Sequence, residues 1–191
     1  MFKEEKYIVS NKRFWIFGYG SLIWNPNVLF LRSENAFVQG WKRQFVQGSP
    51  DHRGVPERPG CVVTIVPDQQ GRCYGRLYQI ERKEYNRVFA YLDVRECKGY
   101  RRLTLDVQTL SGEEMEAFTY VATEENPYYL SDWSIEDIAN RIREAHGPSG
   151  SNLEYFNKLR ESLATFAPRD EHIEELARHI FPFDSSGSSP G

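Results

Sequence analysis

Apolar residues in this chain change period several times, and the changes mark its elements. Phe14-Trp15-Ile16-Phe17 is an apolar run without alternation, bounded by Arg13 and Gly18. It suits a short strand buried on both faces, although periodicity alone also fits a buried helical segment. Ala36 to Gln47, rich in Phe, Val and Trp, reads as a second strand. Cys61 to Val66 and Arg72 to Ile80 read as two strands joined by a turn at Asp68-Gln69-Gln70-Gly71, a hairpin. Leu103, Leu105 and Val107 alternate with polar residues, Ser111-Gly112 turns the chain, and Met115 to Ala122 returns.

Helical spacing takes over elsewhere. From Glu81 to Glu96 the residues Tyr85, Val88, Phe89 and Leu92 follow i, i+3, i+4, i+7, a stripe facing the core, and Gly99 suits the helix end. Three helices close the chain. The first starts at Ser134, where Asp137 approximates a capping box, buries Ile135, Ile138, Ile142 and Ala145, and stops at Gly147-Pro148. The second opens on Ser151-Asn152-Leu153-Glu154, read as a full capping box, and buries Leu153, Phe156, Leu159 and Leu163. The third, from about Asp170, places Ile173, Leu176, Ala177 and Ile180 on one side. Strand hairpins, an intervening helix and helices gathered at the end describe an α+β domain. A doubly wound sheet would need strands and helices to alternate throughout.

Two connections stand apart. The first strand breaks into Gly18-Tyr19-Gly20-Ser21, and glycine allows a sharp turn or a close approach of backbone to ligand. N–H groups at Gly20, Ser21 and Leu22, left without ladder partners, would make a nest for a carboxylate or phosphate. A tight turn with nothing bound fits the same residues. Asn25-Pro26-Asn27 then reads as a turn or a capped short helix. The stretch Gly48 to Gly60 holds too much Gly and Pro for regular structure, and loops of this length are often functional.

The 191 residues suit one domain, set at 14–183, with an N-terminal extension at 1–13 and a disordered Ser/Gly/Pro tail at 184–191. A net charge of −3 with scattered Lys and Arg excludes the basic stripe of a nucleic-acid binder. No apolar stretch is long enough to span a bilayer, and the charged N-terminus lacks the apolar core of a secretory signal. Cys61, Cys73 and Cys97 are odd in number and lack C-x-x-C spacing, which argues against a disulfide framework or zinc ribbon and for a cytoplasmic setting.

Candidate chemistry narrows by elimination. Gly18-x-Gly20 lacks the third glycine of a dinucleotide fingerprint, since Ile23 stands there. Ser21 lacks the flanking glycines of a nucleophile elbow, where Tyr19 and Ile23 stand instead. His172 and His179 are too far apart for a helical metal pair and are expected to face solvent; His146 sits at a helix terminus, and His52, in the long loop, has the best functional claim of the four. No metal site suggests itself. Glu96 falls four residues beyond Leu92, where the helical stripe calls for a buried residue, and near the negative end of the macrodipole. Both conditions disfavour its charged form. A raised carboxylate suits general acid–base catalysis, whereas pairing with Arg95 or Arg101 would make it structural.

Two stretches together, Phe17-Gly18-Tyr19-Gly20-Ser21-Leu22-Ile23-Trp24 and Tyr91-Leu92-Asp93-Val94-Arg95-Glu96 with Gly99-Tyr100 after, resemble the ChaC family of γ-glutamylcyclotransferases. The likeness continues through Ser49-Pro50-Asp51-His52-Arg53-Gly54, Asn126-Pro127-Tyr128-Tyr129-Leu130 and Gly147-Pro148-Ser149-Gly150-Ser151-Asn152, in order, from about Phe14 to Ile180. The resemblance implies a small mixed β-barrel with flanking helices and a lyase that cleaves glutathione into 5-oxoproline and cysteinylglycine. It implies neither metal nor cofactor, and glutathione as the small-molecule partner; oligomeric state stays open. It makes Glu96 the catalytic glutamate, Gly18, Tyr19, Gly20, Ser21, Leu22 and Ile23 the substrate-binding loop, and Tyr129 a pocket wall. Ser131 departs from the glycine usual in the family. Activity on other γ-glutamyl amino acids or amines, or ligand binding without catalysis, are the alternatives. Fold alone would not choose among them.

Overall fold

The computed structural model describes residues 13–96 and 98–182. The expectations for an N-terminal extension before Arg13, for Cys97 and for the tail lie outside the described residues. Arg13 itself opens the first strand.

Five strands close a barrel in the order β1-β3-β2-β4-β5: β1 (Arg13–Gly18), β2 (Arg32–Ser49), β3 (Gly60–Glu81), β4 (Tyr100–Thr109) and β5 (Glu114–Ala122). Neighbours are antiparallel, except that β5 returns to β1 in parallel through Ile16 and Phe118, which makes the barrel mixed. α1 (Tyr85–Arg95) links β3 to β4, and α2 (Ile135–Glu144), α3 (Asn152–Ala164) and α4 (Glu171–Ile180) follow, an α+β architecture. Among the described residues no helix is long and apolar enough to cross a membrane.

The expected hairpin within 61–80 does not form. Both segments belong to β3, and both pair with β2, from Arg32 opposite Gln79 to Ser49 opposite Gly60. Asp68–Gly71 is an excursion inside that strand, where the register slips between Gln39 and Trp41. Asp68 Oδ1 accepts the Gln70 N–H at 3.1 Å. Across the ladder Gly40 takes φ +84, a conformation that suits glycine. The turn chemistry is therefore used to bend a long strand, as bulges do when a sheet curls toward closure. The hairpin is formed instead by β2 and β3, joined by residues 50–59, and the end of β3 also pairs with β1.

β1 is buried on both faces, as its unbroken apolar run implies. Phe17 points into the barrel core with Val38, Phe45, Ile65 and Leu77; Phe14 and Ile16 face outward against Val88, Phe89 and Leu92 of α1. The expected helix thus exists, but it starts at Tyr85 after a 3₁₀ turn at Arg82–Glu84. Each fully buried Phe, Leu or Ile contributes about 1.5–3 kcal/mol of transfer free energy. α1 is therefore held against the β1 face chiefly by its apolar stripe, and its C-terminus lies beside the turn that ends β1.

The last three helices cover the barrel with Ile138, Ile142, Phe156, Leu159, Ile173 and Leu176. At α2 both halves of the capping box form between Ser134 and Asp137. At α3 one half forms: Ser151 Oγ accepts the Glu154 N–H at 3.1 Å. The Glu154 carboxylate instead meets Lys158 at 2.5 Å and Arg53 at 3.2 Å, which takes the partner that the reciprocal bond needs. α2 ends at Glu144, so His146 leaves the helix for a short ladder of β6 (His146–Gly147) with β7 (Gly150–Ser151). His172 does not simply face solvent. Its Nε2 accepts the Phe45 N–H at 3.0 Å, docking α4 on β2, and burial holds its imidazole below the ordinary value.

Candidate active site

A cavity of about 580 Å³ opens where the end of β1, the β2–β3 loop and the end of α1 meet. Its size is ordinary for a small-molecule site. Gly18 to Leu22 form one wall, and Asp51, His52 and Arg53 another. Arg95, Glu96, Lys98 and Tyr100 descend from the α1 end, while Tyr155 of α3 and Val63 of β3 close the floor.

The turn after β1 is compressed. A Cβ on Gly18 would collide with Leu22, and one on Gly20 would stand 3.0 Å from Val63 Cγ2 and 3.1 Å from the Tyr155 hydroxyl. Ser21–Ile23 form a single 3₁₀ turn. Its carbonyls are all engaged: Tyr19 O accepts from Arg43 Nε at 3.0 Å, and Gly20 O from the Ile23 N–H at 2.9 Å. Ser21 O accepts from Asn25 N–H at 2.9 Å, while Tyr78 hydroxyl donates to Leu22 O at 2.6 Å and reaches Ile23 O at 3.3 Å. The N–H groups of Gly20, Ser21 and Leu22 make no hydrogen bond among the described residues, as expected for the open end of a helical turn. Five of the six residues from Gly18 to Ile23 line the cavity; Ile23 turns into the barrel core, and its N–H is spent inside the turn.

Glu96 caps α1, its N–H donating to Leu92 O at 2.8 Å. Its side chain is 18% exposed, with Arg95 Nε 3.5 Å from Oε1. Burial and the Asp51 carboxylate push its pKa up while Arg95 pulls it down, and the net direction is up. Pairing and perturbation therefore coexist, with desolvation the larger effect. Arg101 is engaged elsewhere, by Glu125. Arg95 also donates to Ser21 Oγ at 2.6 Å, to Asn25 O at 3.1 Å and to Tyr91 Oη at 3.2 Å, so one guanidinium ties α1 to the β1 turn.

Tyrosines make much of the wall. Tyr19 hydroxyl donates to Tyr120 O at 2.5 Å and Tyr100 hydroxyl to Val63 O at 3.0 Å. Burial pushes the phenols of Tyr19, Tyr100 and Tyr155 up, so they stay neutral donors at pH 7. In the loop, His52 Nδ1 meets Ser149 Oγ at 3.1 Å and its side chain is 49% exposed. Arg53 sits over the Tyr155 ring at 5.6 Å and donates to Ser151 O at 3.1 Å.

Tyr129 lies outside the cavity lining; its backbone bridges Gln47, while Asn126 Nδ2 donates to Gln47 Oε1 and Lys98 O at 2.9 Å each. Ser131 is exposed and likewise outside the lining. His146, His172 and His179 do not reach the cavity. Tyr155 is a wall residue that sequence reasoning missed, as is Val63. The signal of Tyr155 was weak, since it lies beside Phe156 on the helical stripe and reads as ordinary core. Among the described residues no cluster of three or more His, Cys, Asp or Glu is placed to hold a metal ion.

The chain resembles known proteins over most of its length. A family model described as ChaC-like protein matches residues 14–181. Mouse glutathione-specific γ-glutamylcyclotransferase 1 is 40% identical over 168 residues, covering 85% of this chain and 75% of that protein. Arabidopsis γ-glutamylcyclotransferase 2-3 is 38% identical over 174 residues, covering 87% of each. The crystal structure of the selenomethionine-labelled γ-glutamylcyclotransferase specific to glutathione from yeast superposes with a TM-score of 0.83 at 26% identity, over 89% of this chain and 96% of that one. The matched span runs from the first barrel strand through the last covering helix and includes every wall of the cavity: the chain belongs to the ChaC family.

Proposed function

We propose that the chain is a γ-glutamylcyclotransferase that cleaves glutathione to 5-oxoproline and cysteinylglycine, with Glu96 as general base and then acid. The single observation that carries this reading is the placement of Glu96, poorly hydrated and raised in pKa, in the same cavity as the glycine turn. The names of the mouse and yeast relatives support the substrate.

The reaction needs little from the protein beyond geometry and one proton. The α-amine of the γ-glutamyl residue is mostly protonated at neutral pH. Glu96 takes a proton from it, the amine nitrogen attacks the γ-carbonyl carbon, and a five-membered ring closes. The γ-amide C–N bond then breaks as Glu96 returns the proton to the departing cysteinylglycine amine, and the ring nitrogen gives up its second proton, through the freed Glu96 carboxylate, to that amine, which leaves as an ammonium. Because the nucleophile is tethered, holding the reactive rotamer supplies much of the rate. The N–H groups of Gly20, Ser21 and Leu22 suit the α-carboxylate or the developing oxyanion. Ser21 Oγ is committed to Arg95, and the histidine nearest the site contacts Ser149 instead, which disfavours serine as nucleophile. The buried thiols Cys61 and Cys73, left unpaired, suit a reducing cytoplasm.

The test is to incubate the purified protein with reduced glutathione and, separately, with γ-glutamyl-alanine, and to quantify 5-oxoproline by mass spectrometry. Glutathione is expected to yield product and γ-glutamyl-alanine little. Equal turnover of both would move the reading to a general γ-glutamyl cyclotransferase; turnover of neither would leave a binding site without catalysis.

A further inference from the structure

The donor that holds Tyr19 O comes from an unexpected place. Arg43, on β2, is 2% exposed and lies outside the cavity lining. Its guanidinium divides three ways: Nε donates to Tyr19 O at 3.0 Å, Nη1 to Asp170 Oδ2 at 2.5 Å, and Nη2 to Tyr74 O. Asp170 is in turn fixed as the N-cap of α4, where Oδ1 accepts the Ile173 N–H at 3.3 Å. One buried cation thus joins the glycine turn, β3 and the last helix.

Stability alone does not account for it. A buried ion pair is often no better for stability than apolar side chains of the same volume. The peptide between Tyr19 and Gly20 is trans, since the described residues contain no cis bond. In a trans peptide the C=O and N–H point in opposite directions. Arg43, outside the cavity lining, holds the oxygen, so the Gly20 N–H, without a backbone partner of its own, points to the opposite side of that peptide.

We propose that Arg43, held by Asp170, is a positioning residue: it locks the Tyr19–Gly20 peptide so that the Gly20 N–H joins those of Ser21 and Leu22 in facing the ligand's carboxylate or oxyanion. The inference rests on the cyclotransferase reading. Neither side chain touches substrate; both act through the backbone of the turn.

Two variants and one resonance test it. Arg43→Lys keeps the charge but cannot reach Tyr19 O, Asp170 and Tyr74 O together. The double variant Arg43→Met/Asp170→Asn removes both charges at once, so neither is left buried without a partner, and Asn still caps α4. In wild-type protein labelled with ¹⁵N-glycine, the Gly20 amide resonance is expected to shift on titration with 5-oxoproline. In both variants that response is expected to be lost. In parallel kcat/KM for glutathione should fall about 100-fold, the loss typical of a reacting geometry displaced by about 1 Å. Thermal melting establishes that each variant is folded at the assay temperature. A Gly20 amide that ignores 5-oxoproline in wild type overturns the inference. So do variants that melt lower but keep the amide response and kcat/KM, since that pattern belongs to a stabilising pair only. Failure of the cyclotransferase reading looks different: wild type then makes no 5-oxoproline from glutathione, while the Gly20 response of wild type against variants still decides the positioning claim.

Discussion

Glu96 carries opposing influences within a few ångströms, and their balance has two measurable consequences. Desolvation and Asp51 raise its pKa above the ordinary 4.5, against the pull of Arg95. A carboxyl raised in the folded state holds its proton more readily than in the unfolded chain. Its contribution to stability therefore declines as pH rises from about 4.5 through the raised value, and stays unfavourable above it. Glu96→Gln is accordingly expected to melt higher than wild type at pH 7, with the difference vanishing below about pH 4.5; equal melting temperatures at pH 7 would contradict the burial argument. The acid limb of kcat/KM should lie above the ordinary carboxylate range, and Arg95→Gln should move it higher still, because the cation favours the ionised form. Ser21→Ala removes one charge-assisted bond to Arg95, worth about 1.5–3 kcal/mol. It should lower kcat/KM by about tenfold or somewhat more, measured with glutathione. Complete loss, together with an acyl-enzyme trapped in wild type, would instead indicate a covalent serine mechanism.

Elements were legible where the signal is local. The unbroken apolar run of β1, the Val88-Phe89-Leu92 stripe of α1 and the cap at Ser134 are short-range patterns, and each appears in the structure. The turn at Asp68–Gly71 was misread because turn-forming residues also make bulges; the choice depends on which strand lies opposite, and β2 is the distant partner. The missing half of the Ser151 box is partly of this kind, since Arg53, remote in sequence, shares the Glu154 carboxylate with Lys158 one turn on. His172 illustrates how docking decides a role. Neutral imidazole accepts the Phe45 N–H, and its pKa is lowered by burial, so its contribution to stability is complete above pH 6.5 and lost as pH falls below it. Melting temperature should drop through that window in wild type and respond less in His172→Gln; an unchanged slope would place the acid sensitivity elsewhere. Between α1 and β4, Gly99 takes φ +85, and a Cβ there would strike the Asn126 amide that holds Lys98 O. Gly99→Ala should destabilise by about 1–2 kcal/mol from the left-handed backbone alone, read by urea unfolding.

At the scale of the molecule, the cavity exists because closure of the barrel gathers segments that sequence keeps apart. The glycine turn and Glu96 were legible as motifs, and the loop from Gly48 to Gly60 as a functional segment only through its length, its composition and its likeness to a family. Their convergence depends on the parallel return of β5 to β1 and on α1 lying across β1, neither of which leaves a periodic trace. Tyr155 and the Arg43–Asp170 pair were illegible for the same reason: their meaning comes from contacts across the whole chain. The central claim, that this convergence places a general base against a tethered amine, is tested most directly by measuring kcat for glutathione in wild type and Glu96→Gln, with glutathione affinity of the variant by calorimetry. The account predicts a loss of at least about 100-fold in kcat, the usual scale of general-base catalysis, with affinity nearly unchanged. A Glu96→Gln enzyme that turns glutathione over at a rate near wild type would contradict it.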